Sequence, residues 1–306
     1  MISRHKLHFF MLMIGSSIVA FAQAANSDVC PHDDKDFISI RQKAEAKDPS
    51  AQMALASCYD LGQHVQPDGK ESIRLLTEAA NQGYAPAQYE VGRIYLYGRG
   101  VPIDYDKALL WERKAAEQGD SRAQRDLAFM YERGFGVSAD PVQAAEWNRK
   151  AATQGNAEAQ LHLATALDDG VGISKDTETA RTWYAKAARQ EQPLAQLELA
   201  RESAGQGNCP VAVHWYEEAA GHGNAQAMYE VGRLYLSKCG PHKDLAFKWF
   251  TIGARFGSAE SKEQADRLGR SLTLSQKRRV QLVVEKWIKE HSGADQDEDE
   301  KEKEER

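Results

Sequence analysis

The residues able to do chemistry in this chain are four cysteines, nine histidines and a Ser-x-x-Lys, and their spacing decides what each can do. A serine with a lysine three residues on is the acylating pair of serine β-lactamases and penicillin-binding enzymes. Here the only such pair is Ser3 and Lys6, at the very start of the chain. The sequence has no Gly-x-Ser-x-Gly, no phosphate-binding glycine loop and no His-Glu-x-x-His. His214 and His222 stand eight apart with no third ligand near in sequence, and His32, His64 and His242 are scattered. A zinc site needs three or four ligands converging at fixed spacing, so these read as surface or capping histidines. The sequence thus predicts no enzyme, no metal and no cofactor.

The cysteines carry a different chemistry, set by the compartment. Arg4, His5 and Lys6 precede an apolar run, Phe9 to Phe21, and then Ala22-Gln23-Ala24. A basic start, a short apolar core and an A-x-A site make residues 1–24 a signal peptide, cut before Ala25. A spanning helix needs roughly 20 apolar residues, more than this run supplies. Ser27-Asp28-Val29 before Cys30 is not a lipid-attachment box. The protein is therefore expected outside the cytoplasm, periplasmic or fully secreted, where paired cysteines oxidise. Cys30 and Cys58 flank one helical hairpin, and Cys209 and Cys239 flank another. In each pair the first lies near the start of one helix and the second near the end of the next, antiparallel one. Those ends meet, so two disulfides, Cys30–Cys58 and Cys209–Cys239, are expected.

The elements that hold these residues repeat. Ala-Gln recurs at Ala51, Ala87, Ala123, Ala159 and Ala195, and Ala-Ala at Ala79, Ala115, Ala151 and Ala187, a period of 36 residues. Trp111, Trp147 and Trp183 keep the same step. Such a period means one supersecondary unit stacked many times. In the copy at 87–122, Ala87, Val91, Ile94 and Tyr95 lie at helical spacing and end at Gly98 and Gly100. Asp104 then stands where an N-cap belongs, and Ala108, Trp111, Ala115 and Ala116 mark a second helix up to Gly119. Asp140 with Pro141 at the first helical position, Asp176, and Asp68 with Glu71 at capping-box spacing follow the same syntax. Small residues let helix axes approach, and the in-register tryptophans read as packing between helices rather than a ligand box.

These residues spell A-x-x-x-L/V-G-x-x-Y-x-x-G-x-G-V-x-x-D-x-x-K-A-x-x-W-x-x-K-A-A-x-Q-G, which resembles the Sel-one-like repeat, a relative of the tetratricopeptide repeat. The likeness covers about 48–260. It implies an all-α solenoid, a right-handed superhelix of α-hairpins that serves as a protein-binding scaffold or adaptor. Some cysteine-rich relatives carry a penicillin-binding or β-lactamase label, which leaves a weak hydrolase as an alternative beside a periplasmic regulator of a signalling sensor. The fifth unit loses the G-x-G-V loop, with Gly205-Gln206-Gly207-Asn208-Cys209 in its place. Cys209–Cys239 is expected to compensate for that deletion.

The organisation that follows is a signal peptide at 1–24, an N-terminal capping helix within 25–50, six repeats over 51–260, capping helices at 261–291 and an acidic disordered tail at 292–306. Thr273 and Gln276 open the last helix, with Val280, Val283, Val284, Trp287 and Ile288 as its apolar stripe. Loss of Arg4 and Lys6 moves the formal charge from −6 to −8, and eight acids crowd residues 295–306. Nucleic acid is excluded by that balance, because phosphate needs a basic face. The mature chain has no membrane span. In tetratricopeptide-like hairpins the first helices line a concave groove. Mapping the repeat puts Tyr89, Arg93, Tyr97, Arg125, Phe129, Arg133, Tyr229 and Arg233 there, residue types enriched at interface hot spots. The expected partner is an acidic or extended segment of another exported protein.

Overall fold

The computed structural model describes residues 30–237 and 242–291. The expected signal peptide, Cys239 and the acidic tail lie outside the described residues. A leading helix α1 (Asp34–Glu45) precedes six hairpins. These are α2 (Pro49–Leu61) with α3 (Gly69–Asn81), α4 (Ala85–Tyr97) with α5 (Tyr105–Glu117), and α6 (Ser121–Arg133) with α7 (Pro141–Thr153). There follow α8 (Ala157–Asp169) with α9 (Thr177–Ala188), α10 (Pro193–Gly205) with α11 (Cys209–Gly221), and α12 (Ala225–Ser237) with α13 (Lys243–Arg255). Two more helices, α14 (Ala259–Gly269) and α15 (Leu274–His291), close the described chain.

The chain divides into two compact units, Met1–Trp147 and Asn148–Arg306. In the first, consecutive helices α1 to α6 pack pairwise, around Phe37, Leu55, Leu75, Leu76, Val91, Ile94 and Trp111. In the second, α8 to α14 do the same, and α15 lies on α13. Tyr216, Met228, Val231, Trp249, Ile252, Val280 and Val284 form its largest core.

The first four hairpins are started and stopped by the same local chemistry. Gly62, Gly98, Gly134 and Gly170 close the first helices in the left-handed conformation, where any Cβ would be strained. An acid then opens the second helix of each of these four, whereas α11 and α13 follow Asn208 and His242, which make no side-chain cap. The carboxylates of Asp104, Asp140 and Asp176 accept from the backbone N–H groups of Lys107, Gln143 and Thr179 at 3.0–3.1 Å. The backbone N–H groups of the three aspartates themselves donate to Tyr95, Tyr131 and Leu167 carbonyls, tying each loop to the helix before it. At Asp68 only half of the expected box forms. Its side chain caps Lys70 and Glu71, while the Glu71 carboxylate is drawn off by Arg74. Thr273 and Gln276 make both halves of theirs.

The Ala-Gln pair has a structural cause. Gln88, Gln124, Gln160 and Gln196 are buried, and each donates from Nε2 to the carbonyl of the second Ala of the Ala-Ala pair eight residues earlier, at 3.1–3.2 Å. The side-chain oxygens of Gln52, Gln88 and Gln160 accept from Gln82, Gln118 and Gln190, 30 residues on. A buried amide must be satisfied on both sides, so this ladder couples the period of the sequence to the stacking of hairpins. In the fifth unit the corresponding glutamine is His222, and Gln196 Oε1 is left without a partner. Two of the tryptophans have one face covered by lysine, with Lys114 4.3 Å over Trp111 and Lys186 3.8 Å over Trp183.

Cys30 and Cys58 are joined, as the hairpin argument expects, with both side chains buried. Cys209 is also disulfide-bonded, and its expected partner, Cys239, lies outside the described residues. On α15 the expected stripe is narrower than its spacing suggests. Val280 and Val284 are buried and Trp287 and Ile288 pack partly buried on the same core, but Val283 is 50% exposed.

Candidate functional site

The first helices α4 and α6 bring most of the expected binding residues of the first unit together. Arg93 lies between two rings of its own helix, 5.6 Å from the Tyr89 centroid and 5.4 Å from Tyr97. Its Nη1 donates to the Tyr89 hydroxyl at 3.3 Å. From α6, Arg122 covers the Tyr89 ring at 4.4 Å while pairing with Asp120 at 2.8 Å. Arg125 holds the fully buried Asp126 at 2.6 Å. Tyr89 is consequently only 3% exposed, whereas Tyr97 is 44% exposed. Of the two tyrosines, Tyr97 is the open one, because two guanidinium groups shield Tyr89.

Phe129 and Arg133 belong to a neighbouring cluster. Arg133 sits 5.5 Å over the Phe129 ring, and Phe129 meets Phe135 edge-on at 5.7 Å. Tyr229 and Arg233 lie in the second unit, where Arg233 stacks 5.9 Å over Tyr229 and pairs with Glu230 at 3.1 Å. The three pairs Tyr89–Arg93, Phe129–Arg133 and Tyr229–Arg233 share one spacing, an aromatic followed four residues later by arginine. On a helix those positions are neighbours, so the spacing itself signals that the pairs engage each other.

Helix α5 carries a buried carboxyl that no motif in the sequence singles out. Glu112 is fully buried beneath Gly92, and neither of its oxygens has a hydrogen-bond partner. A Cβ at Gly92 would lie 2.6 Å from Glu112 Oε1, so the glycine makes room for the carboxyl. The signal is in the repeat register, where the residue after the Trp position is Leu76, Glu112, Asn148, Tyr184, Tyr216 and Phe250. Burial pushes the Glu112 carboxyl well above its ordinary range, the Asp126 carboxylate adds to that, and Arg93 and Arg125 oppose it. Burial likewise raises the Tyr89 and Tyr97 phenols, so both stay neutral donors and acceptors at neutral pH.

This carboxyl makes stability pH-dependent. The folded chain holds the Glu112 proton at pH values where the unfolded chain has released it. Its contribution is complete below the ordinary value of 4.5 and is lost as pH rises from there toward the elevated folded value. Between those limits unfolding free energy should fall by about 1.4 kcal/mol per pH unit from this group alone. The variant Glu112→Gln should flatten that slope in urea unfolding series run from pH 4 upward. An unchanged slope would show that Glu112 is ionised in the folded state.

Among the described residues no three His, Cys, Asp or Glu side chains are placed to hold a metal ion. None of the described helices is long and apolar enough to cross a membrane.

The hairpins coincide with six matches to the Sel1 repeat family model, at residues 49–84, 85–120, 121–156, 157–191, 193–224 and 225–257. The chain belongs to the Sel1 repeat family. Each match opens at or within a residue of the first helix of its hairpin, including the two shortened units. Among solved structures, a Sel1 repeat protein from Oxalobacter formigenes is 31% identical, with a TM-score of 0.65 over 75% of this chain and 68% of its own. The protein c5321, a protective antigen present in uropathogenic Escherichia coli strains and displaying the same repeat fold, is 26% identical. Its TM-score is 0.50 over 84% of this chain and 71% of its own. No curated protein matches the chain. Sel1 repeats generally act as protein–protein interaction scaffolds, and the fold is an all-α hairpin solenoid.

Proposed function

We propose that this Sel1 repeat protein is a non-catalytic scaffold of the cell envelope, binding a segment of another exported protein on its first-helix surface. The Cys30–Cys58 bond supports an oxidising location, in keeping with the basic, apolar and A-x-A start of the sequence. The observation that carries the binding surface is the fixed guanidinium of Arg93, clasped by two tyrosines beside Arg122 and Arg125. An arginine already immobilised by aromatic faces loses little further freedom when a carboxylate or carbonyl reaches it. Tyr97 supplies exposed apolar area at the same place. Phe129 with Arg133, and Tyr229 with Arg233, extend the same chemistry along other first helices.

The partner is to be isolated by affinity capture from an envelope extract and its purified form titrated against the full chain. Arg93→Ala and Arg125→Ala should each weaken binding about tenfold, with far-UV circular dichroism unchanged. Lys186→Ala, on the second helix α9, should change it less than twofold. If Lys186→Ala weakens binding and the arginine variants do not, the surface is misassigned. A hydrolytic activity on β-lactams or cell-wall fragments that one substitution abolishes would overturn the scaffold reading itself.

A further inference from the structure

One position of the repeat is filled by tyrosine in three successive first helices, Tyr59, Tyr95 and Tyr131, and by Leu167 in the fourth. In the third repeat Tyr131 is 8% exposed and packs with Leu127, Val137 and Trp147. Its hydroxyl accepts from Arg113 Nη2 at 2.8 Å. Thirty-six residues on, each neighbour has its counterpart: Leu163, Ile173, Trp183 and Arg149. At these positions the tyrosine is what is lost, while Val137 becomes Ile173 and, beside them, Ala139 becomes Lys175. Where the tyrosine would sit, the second unit has a cleft of about 570 Å³ lined by Arg149, Leu163, Leu167, Ile173, Lys175 and Trp183.

The basic side chains around this cleft are unspent. Asp176, at its edge, is committed to capping α9 through the Thr179 N–H and hydroxyl at 3.0 and 2.6 Å. The side chains of Arg149 and Lys175 make no ion pair or hydrogen bond among the described residues, whereas Arg113 spends a donor on Tyr131. The volume falls in the ordinary range of ligand clefts, roughly 300–1,000 Å³. No residue outside the described ones is a tyrosine, so the chain's own remaining segments hold no phenol to fill it.

We propose that this cleft receives a tyrosine side chain from a partner protein, its ring against Leu167, Ile173 and Trp183 and its hydroxyl accepting from Arg149. The third repeat supplies the template, since Leu127, Val137, Trp147 and Arg113 already hold a tyrosine there. The site is independent of the first-helix arginines, as it is built from α7, the end of α8, the following loop and α9.

The probe is p-cresol, the tyrosine side chain itself, with toluene as its hydroxyl-free control. Binding is read on the full chain labelled with 5-fluorotryptophan, following the ¹⁹F resonance of Trp183, which Trp183→Phe assigns. The p-cresol titration should saturate, with about tenfold higher affinity than toluene, the margin of a hydrogen bond from a charged donor. Arg149→Met should bring that ratio near one without abolishing toluene binding. Leu167→Tyr should restore the missing phenol, raise the melting temperature and abolish binding of both probes. Equal affinity for p-cresol and toluene, no saturable shift of Trp183, or undiminished p-cresol binding by Leu167→Tyr would each overturn the proposal.

Discussion

Replacing Cys30 and Cys58 together by alanine should cost about 3–4 kcal/mol of stability in the first repeat and release helix α1 from α2. The bond closes a sequence separation of 28 residues. Chain entropy assigns a loop of that size about 3.6 kcal/mol at room temperature. Around it α1 has little else. Of its own residues only Phe37 and Ala44 are buried. Phe37 stacks on His64 at 4.9 Å, and the His64 ring nitrogens reach Asp34 and the Pro31 carbonyl, both at 2.8 Å. Twelve residues with two buried side chains cannot offset their own ordering entropy, so the covalent link supplies what burial does not. Hydrogen exchange should show α1 losing protection first and α2 next, since α1 covers the outer side of the first hairpin. The paired substitution leaves Cys209 untouched, which chemical reduction would not. Protected α1 amides and a loss below about 1 kcal/mol would show that packing, not the disulfide, holds the cap.

Phe250→Ala should destabilise the second unit by about 3–5 kcal/mol, the usual cost of emptying a fully buried aromatic site. The Phe250 side chain is fully buried and lies against Tyr229 at 5.8 Å. A Cβ at Gly232 would come within 2.6 Å of its ring, so α12 carries glycine there in order to admit the ring from α13. Gly232→Ala alone should therefore destabilise as well, because the methyl group must displace a ring held in a dense core. In the double variant the methyl occupies part of the space the ring vacates, and the combined loss should fall short of the sum by more than about 0.5 kcal/mol. Urea midpoints of the two single variants and the double variant measure this directly. Strict additivity would mean that Gly232 and Phe250 do not share the space the structure assigns them.

Gly92 and Glu112 repeat this arrangement with a carboxyl in place of the ring. A reading by residue class separates the two cases, one apolar and one charged. In the repeat register they are the same site, a small residue on the first helix facing a large one on the second. That correspondence was available in the sequence. That the carboxyl has no partner was not, because it depends on where Arg93 and Arg125 direct their guanidinium groups. Arg93 turns to its own tyrosines and Arg125 to Asp126.

By itself the sequence determined the hairpin, its period, its caps and the first disulfide, because each rests on interactions within one repeat or between neighbours. A glycine three residues past a helical tyrosine, an aspartate at the next helix start and two cysteines flanking one hairpin act over a few residues, and a regular period repeats them in phase. The residues to be placed on the binding surface were legible only as types. Tyr89 reads as an exposed aromatic in the pattern and is 3% exposed in the fold, since Arg122 arrives from the next hairpin to cover it. The cleft beside Leu167 is likewise a property of tertiary structure. One substitution in a repeat is silent in the sequence until the walls that surround it are seen to have stayed in place. The physical reason is range. Caps and periodicity are set by backbone hydrogen bonds over three or four residues, whereas burial and ion pairing at a given position are set by side chains 20 to 36 residues away that only stacking brings near.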